Sequence, residues 1–234
     1  MSKIAFISDI HGNYPALTAV LNDIDKRRID KIICLGDLVG YYSMINEVID
    51  TIRERGIPAI LGNHDHAMIF NNGIIERSKT CTSILQKQLS YITSKNLEYL
   101  HDLPVSLITE NNSKTFFCVH GGLNDNVDEY LFKIDEAYVK EHSFQYDFLV
   151  TGHTHKFIHN CLSKVTHINP GSVGQPRDGD KRASYVVMDK NSVNHIRVEY
   201  DIDRITGDMR LHKFDEYIYS GLYSGKKIGD NLSA

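Results

Sequence analysis

The pentapeptide Leu61-Gly62-Asn63-His64-Asp65 constrains this chain more than any other stretch. The apolar run 57–61 reads as a buried strand, and Gly62 lets the backbone turn sharply at its end. An amide, an imidazole and a carboxylate follow in a polar turn. A strand that stops in such residues presents them at its C-terminal edge, where open α/β sheets hold their ligands. A polar turn with an Asx cap would look the same in isolation. The other strand ends decide between the two.

Residues 3–8 form an apolar strand that runs into Asp9-Ile10-His11-Gly12-Asn13. In an extended segment, residues two apart face the same side, so Asp9 and His11 are expected to reach one point. Residues 14–28 read as a helix, with Pro15 in the first turn and a stripe of Leu17, Val20, Leu21 and Ile24. Residues 31–35 form a second strand, ending in Gly36-Asp37-Leu38-Val39-Gly40. A second helix runs to Arg55, with Ser43 as its expected cap and Gly56 as its stop. The order β-α-β-α-β predicts parallel strands with right-handed crossovers.

The segment 66–101 reads as a helical insertion flanking the site, with helices near 78–93 and from Ser94. Beyond it the pattern turns to β. Strands at 105–109 and 114–119 pair as a hairpin, and the second ends in His120-Gly121-Gly122. A short helix at 134–142 and a strand at 146–151 follow, the strand ending in Gly152-His153-Thr154-His155. A turn-rich loop, Asn169-Pro170-Gly171-Ser172, leads past Arg177 to a hairpin at 184–198 and a helical stretch at 201–214. The last twenty residues either pack as an extended tail or fray. Without a repeat or a linker, residues 1–234 are expected to form a single domain.

Composition excludes several classes. A net charge of −4 with no long basic run gives no footprint for a nucleic-acid polymer. No stretch approaches the roughly 18 apolar residues of a membrane span, and the N-terminal run is too short for a signal peptide. Cys34, Cys81, Cys118 and Cys161 form no close pair, as expected of a reduced, cytoplasmic protein. Seven of the twelve histidines (His66, His101, His142, His159, His167, His195 and His212) fall in no usable pattern.

The strand ends together hold Asp9, His11, Asp37, Asn63, His64, Asp65, His120, His153 and His155. Nitrogen and oxygen ligands without thiolate suit Mn, Fe, Zn or Ni. The set is too large for one ion but fits two divalent or trivalent ions bridged by a carboxylate, with manganese the favoured metal. Two-metal sites hold ions about 3.5–4 Å apart and lower the pKa of a coordinated water to about 7. Two divalent ions, two carboxylates and one hydroxide leave a single positive charge, which favours a phosphate anion.

Asp9-x-His11, Gly36-Asp37-x-x-Gly40, Gly62-Asn63-His64-Asp65, His120-Gly121 and Gly152-His153-x-His155 resemble the signature of calcineurin-like metallophosphoesterases. The resemblance implies a four-layer α/β/β/α sandwich with a mixed central sheet pair. It implies that Asp9, His11 and His155 bind one metal, that Asn63, His120 and His153 bind the other, and that Asp37 bridges. It assigns His64 to the transition state and the leaving oxygen, with Asp65 orienting His64 and keeping it protonated. Protein phosphatases and symmetrically cleaving diadenosine tetraphosphatases of this family carry Asp-Arg-Gly at the second block. Here Asp37 is followed by Leu38-Val39-Gly40, so the chain looks more like the small bacterial phosphodiesterase branch. Asn13 and Arg177 are the expected substrate contacts. The expected reaction is hydrolysis of a phosphodiester or phosphoanhydride, on a small phosphate ester or nucleotide such as a dinucleoside polyphosphate. A phosphomonoesterase or protein phosphatase is the alternative, and a non-catalytic scaffold of the same fold the remote one. Self-assembly into oligomers stays open.

Overall fold

β1 (Lys3–Ile7) sets the architecture, because its alternate side chains enter two different cores. Ile4 and Phe6 pack with Ile33, Phe116, Phe148 and Val186, whereas Ala5 and Ile7 pack with Leu17, Val20 and Ile49. The computed structural model describes residues 2–190 and 192–228. Asn191, in the predicted hairpin turn, and the end of the predicted tail at 229–234 lie outside the described residues.

One sheet has the order β2-β1-β8-β9, with β2 (Lys31–Cys34) parallel to β1, and β8 (Ala183–Asp189) and β9 (Ser192–Val198) antiparallel. The other holds β3 (Ser106–Asn111), β4 (Lys114–Val119), β5 (Phe148–Val150), β6 (Phe157–Cys161) and β7 (Thr166–Pro170), in the order β3-β4-β5-β7-β6. Its centre, β4-β5-β7, is parallel and its two edges are antiparallel. Phe116 and Cys118 of β4 face the first sheet, and Phe117 and Val119 face away. Three apolar cores therefore separate four layers. α1 (Tyr14–Lys26), α2 (Ile45–Glu54) and α7 (Ile202–Leu211) cover the first sheet, and α6 (Glu136–Glu141) covers the second. The fold is α/β with two mixed sheets.

Two predicted elements change character. The run 57–61 is extended but makes a single bridge, Ala59 to Cys34. Pro58 has no N–H to donate, and the Leu61 N–H turns away to the Pro104 carbonyl (2.8 Å). The predicted polar turn at 63–65 is instead the first turn of α3 (Asn63–Phe70). Gly62 is its extended N-cap, and its N–H donates to the Asp65 carboxylate (3.1 Å). α4 (Lys79–Leu89) and α5 (Ser94–His101) follow, capped by Ser78 and Thr93.

Two smaller corrections concern caps and edges. α2 has Met44 as its N-cap, and Ser43 Oγ donates instead to Asp208 Oδ2 (2.5 Å). β6 has no strong apolar pattern and becomes a strand by pairing with β7. The tail forms α8 (Glu216–Tyr219) and a 3-10 turn (Ser220–Tyr223) that bury Ile218, Tyr219 and Leu222. No helix among the described residues is long and apolar enough to cross a membrane. The four cysteines are unpaired.

Candidate metal centre

The loops after β1 and β2 are laced together by main-chain hydrogen bonds. Asp9 N–H donates to the Gly36 carbonyl (3.1 Å), and the N–H groups of Ile10 and His11 both donate to the Asp37 carbonyl (2.9 Å each). The lacing forces unusual backbone conformations. Asp9, His11, Asp37, His153 and His155 all have positive φ, between 53° and 64°. Such strain in non-glycine residues persists only where the surroundings impose it, and it gathers at functional sites. The predicted reason for the convergence of Asp9 and His11 is thereby corrected. Both lie past the end of β1 and meet through left-handed turns, not through the alternation of an extended strand.

Three imidazoles are held by the same device. The Nδ1 atoms of His11, His120 and His155 lie 2.8, 2.6 and 2.6 Å from the carbonyls of Val39, Leu35 and Gln175. A carbonyl only accepts, so each Nδ1 carries the hydrogen and each ring, when neutral, presents its Nε2 lone pair inward. His11 Nε2 lies 3.1 Å from His155 Nε2 and 3.5 Å from Asp37 Oδ2. His120 Nε2 lies 3.3 Å from Asp37 Oδ2, and His155 Nε2 lies 3.2 Å from Asp9 Oδ1. Two groups of ligating atoms result. Asp9, His11, Asp37 and His155 form one; Asp37, His120 and His153 form the other. Within each group the atoms lie within 4.8 Å of one another, and Asp37 belongs to both.

Asn63 joins the second group. Its Oδ1 lies 3.3 Å from His120 Nε2, 3.1 Å from Asp37 Oδ2 and 3.0 Å from His153 Nδ1. With its NH₂ inward the Asn63 amide donates to these atoms and its oxygen accepts from Arg77 Nη2; with its oxygen inward it offers a ligand to a cation seated among them. The lone pairs of His11 and His155 face each other, and Asp9 Oδ1 is buried and unpartnered, an arrangement that a cation between them relieves. The donor set therefore fits a pair of cations. Burial opposes the ionisation of Asp9, yet His155 and His120 hold it well below the usual carboxylate range. Burial lowers His11 and His155, so both are neutral, as ligands must be. Burial works against charge on His120 too, but Asp37 pushes it up to about 10 in the metal-free chain, so its Nε2 carries a proton that an arriving ion must displace.

The calcineurin-like phosphoesterase superfamily domain matches residues 2–192. The chain belongs to that superfamily. It is 36% identical to the Methanocaldococcus jannaschii protein MJ0912, over 96% of this chain and 99% of that protein. It is 26% identical to the Escherichia coli phosphodiesterase YfcE, over 84% and 92%. It superposes on the crystal structure of a metallophosphoesterase from Sphaerobacter thermophilus with a TM-score of 0.82 and 31% identity, over 96% and 99%. The protein is accordingly a metal-dependent phosphoesterase.

In this phosphoesterase His64 lies outside both ligand groups. Its main-chain N–H donates to Asp37 Oδ1 (2.8 Å), and its ring packs 4.9 Å from those of His11 and Tyr41. Gly40 leaves room for it: a Cβ there would collide with His64 Nδ1. Burial pushes His64 down to about 4, against the pull of Asp37. The predicted partnership of Asp65 with His64 is not the one observed. His64 Nδ1 has no hydrogen-bond partner, and the Asp65 carboxylate accepts from the N–H groups of Asp37, Leu38, Val39 and Gly62 (2.8–3.1 Å). Asp65 holds the loop that carries Asp37. Burial and the Asp37 charge push Asp65 up to about 7, while the amides pull the other way.

The two predicted substrate contacts differ. Asn13 is fully buried, caps α1 through Ala16 N–H (3.2 Å) and donates to the Gly174 carbonyl (2.9 Å). It is a structural residue with no face toward a ligand, which corrects its assignment. Arg177 lines a cavity of about 360 Å³ together with His64, Tyr41, Arg77, Tyr130 and Lys227. Its Nη2 donates to the Tyr41 hydroxyl (2.9 Å), and its Nε donates to Gln175 Oε1 (3.0 Å).

Sequence reasoning missed Tyr41, Arg77, Asp128, Tyr130 and Lys227. Tyr41 follows the second block directly, with φ 49°, and its edge meets the His11 ring at 4.6 Å. The Tyr130 ring lies 3.8 Å from that of His153. A signal existed for Tyr41 in its position after Gly40. None existed for the other four, which sit in segments without a pattern.

Proposed function

We propose that this phosphoesterase is a dinuclear-metal phosphohydrolase for phosphodiesters or phosphoanhydrides of nucleotide type. The observation that carries this reading is the sharing of Asp37 between two ligand groups, with His64 beside both and outside both. Asp9, His11, Asp37 and His155 would hold one ion, and Asp37, Asn63, His120 and His153 the other. Two bound ions supply charge neutralisation and a nucleophile available near neutral pH.

The chain's own residues do the rest. The carbonyl-anchored imidazoles arrive already oriented, so little reorganisation accompanies ion binding. His64 donates a proton to the leaving oxygen. Its ring is neutral at rest, and a phosphate anion beside it favours the charged form. Arg177 and Lys227 add positive charge to the cavity wall. Two cavities open beside the ligand groups: the one of about 360 Å³ at His64 and another of about 770 Å³ at Asn63. A phosphorus with two substituents has a place for each, which favours a diester over a monoester. The segment 66–101 supplies much of these walls within a single working domain. Manganese is the proposed metal, and the four unpaired thiols fit a reducing compartment such as the cytoplasm.

The test is a panel of phosphate monoesters, diesters and dinucleoside polyphosphates, assayed with Mn²⁺, Fe²⁺, Zn²⁺ and Ni²⁺ in turn. Diesters or anhydrides should turn over fastest, with Mn²⁺ best. His64→Ala should lower kcat roughly 10²–10⁴-fold with both metals still bound. A preference for monoesters would favour the phosphatase reading. Full turnover by His64→Ala would remove the proposed acid.

A further inference from the structure

The two cavities share one charged side chain. Arg77, in the loop before α4, lines both, and so does Ile75 behind it. The Arg77 guanidinium is paired in bidentate fashion with Asp128, from the loop after β4. Its Nη2 also lies 3.1 Å from the outer atom of the Asn63 amide, and its charge sits 5.4 Å from the centre of the Tyr130 ring. One residue, Asn63, therefore separates this guanidinium from the ligand groups.

We propose that Arg77 contacts the substrate phosphate in this enzyme and that Asp128 holds it in reserve. The proposal rests on the phosphoesterase reading above and adds a specificity-determining residue to it. On substrate entry, two phosphate oxygens take the place of the Asp128 carboxylate on the fork of Arg77. Both anions offer the same two-oxygen edge to a planar guanidinium.

Three observations favour the exchange. First, water reaches the pair. The side chains of Arg77 and Asp128 are 42% and 38% exposed, and ion pairs so open to water are screened. Second, ion binding disturbs the resting seat of Arg77. With the Asn63 oxygen turned inward to a metal, its NH₂ faces Arg77 Nη2, donor against donor. Third, Asp128 has another partner in reach. Its Oδ1 lies 3.4 Å from His153 Nε2, which is buried and unpartnered, while His153 Nδ1 lies 3.0 Å from the inner atom of the Asn63 amide. A released Asp128 closes on the His153 N–H and steadies that ring, as outer carboxylates do for metal-ligating histidines. Arg177, in contrast, is already bound to Tyr41 and Gln175 and lines only one of the two cavities.

The experiment measures binding of inorganic phosphate to the Mn²⁺-loaded protein by calorimetry, beside kcat and KM for bis(p-nitrophenyl) phosphate. Asp128→Asn keeps an oxygen for His153 but drops the charge that retains Arg77. It should tighten phosphate binding up to roughly fivefold, the scale of one exposed ion pair. Arg77→Ala should weaken phosphate binding and raise KM, each roughly tenfold, the scale of one charge-assisted hydrogen bond. Arg77→Lys, which keeps the charge and loses the fork, should fall between. The double variant Arg77→Ala/Asp128→Asn should match Arg77→Ala alone. Melting temperatures identify any variant that fails to fold, and the Asn and Lys variants then carry the comparison. Phosphate binding that is unchanged or weaker in Asp128→Asn overturns the proposal, as does unchanged binding in Arg77→Ala or Arg77→Lys. The phosphate measurement does not need turnover. A wild-type protein inert toward every ester would therefore sink the hydrolase reading separately.

Discussion

The floor of this site and its mouth are built on opposite principles. At the floor, Asp9, His11, Asp37, His120 and His155 are almost wholly removed from water, and each histidine is pinned to a main-chain carbonyl. At the mouth, Arg77, Asp128 and Lys227 stand partly in solvent, and Arg77 and Asp128 are paired with each other and not with the main chain. A floor of this kind fixes ligand geometry before any ion arrives. A mouth of this kind exchanges partners at low cost. On the proposed function, the difference separates chemistry, which depends on rigidity, from selectivity, which depends on replaceable contacts.

The sharpest way to break the comparison is at Asp37, the one side chain common to both ligand groups. Asp37→Asn should lower kcat by at least roughly a thousandfold, about 4 kcal/mol of barrier. Metal analysis of the purified variant should show fewer ions per chain. A variant that keeps its metal content and most of its rate would show that the two groups do not share this residue.

A smaller effect is expected at Asp65, which belongs to the floor but lies outside both ligand groups. Asp65→Asn leaves an NH₂ facing main-chain donors. The loss of two charge-assisted hydrogen bonds should cost about 3 kcal/mol or more. For a chain of this size the melting temperature of the metal-free protein should fall by roughly 6–12 °C. If Asp65 acted only by orienting His64, kcat would drop and the melting temperature would stay put.

The smallest effect belongs to the mouth. Tyr41→Phe removes the hydroxyl that holds Arg177 Nη2, while Gln175 keeps its own bonds to Arg177. KM for a diester should rise by roughly two- to fivefold, less than the scale of one charge-assisted hydrogen bond because Gln175 still holds Arg177, with kcat nearly unchanged. A large loss of kcat would place Tyr41 on the floor and not in the wall.

These contrasts also explain what could be read from residue order. The candidate ligands were legible because each follows an apolar run within a few residues. Strand ends are local features, marked by the change from apolar to polar and by glycines such as Gly36 and Gly62. The four layers were accessible through the resemblance that those blocks carry. The alternation in β1, β4 and β8 is consistent with them, since each strand feeds two cores. The single-bridge strand at 57–61 was less accessible, because its fate depends on the distant Pro104 carbonyl.

By itself, then, the sequence determined which side chains stand at the strand ends, the superfamily signature they make and the metal chemistry their donor atoms allow. Only the tertiary structure decided how they are aimed. The left-handed turns at Asp9, His11 and Asp37 come from lacing between loops about 25 residues apart, a contact that no local spacing encodes. The true partners of Asp65, the burial of Asn13 and the pairing of Arg77 with Asp128, 51 positions away, are of the same kind. Local pattern fixes what a residue offers. What it meets depends on chain segments brought together by folding, and the short range of hydrogen bonds makes that meeting decisive.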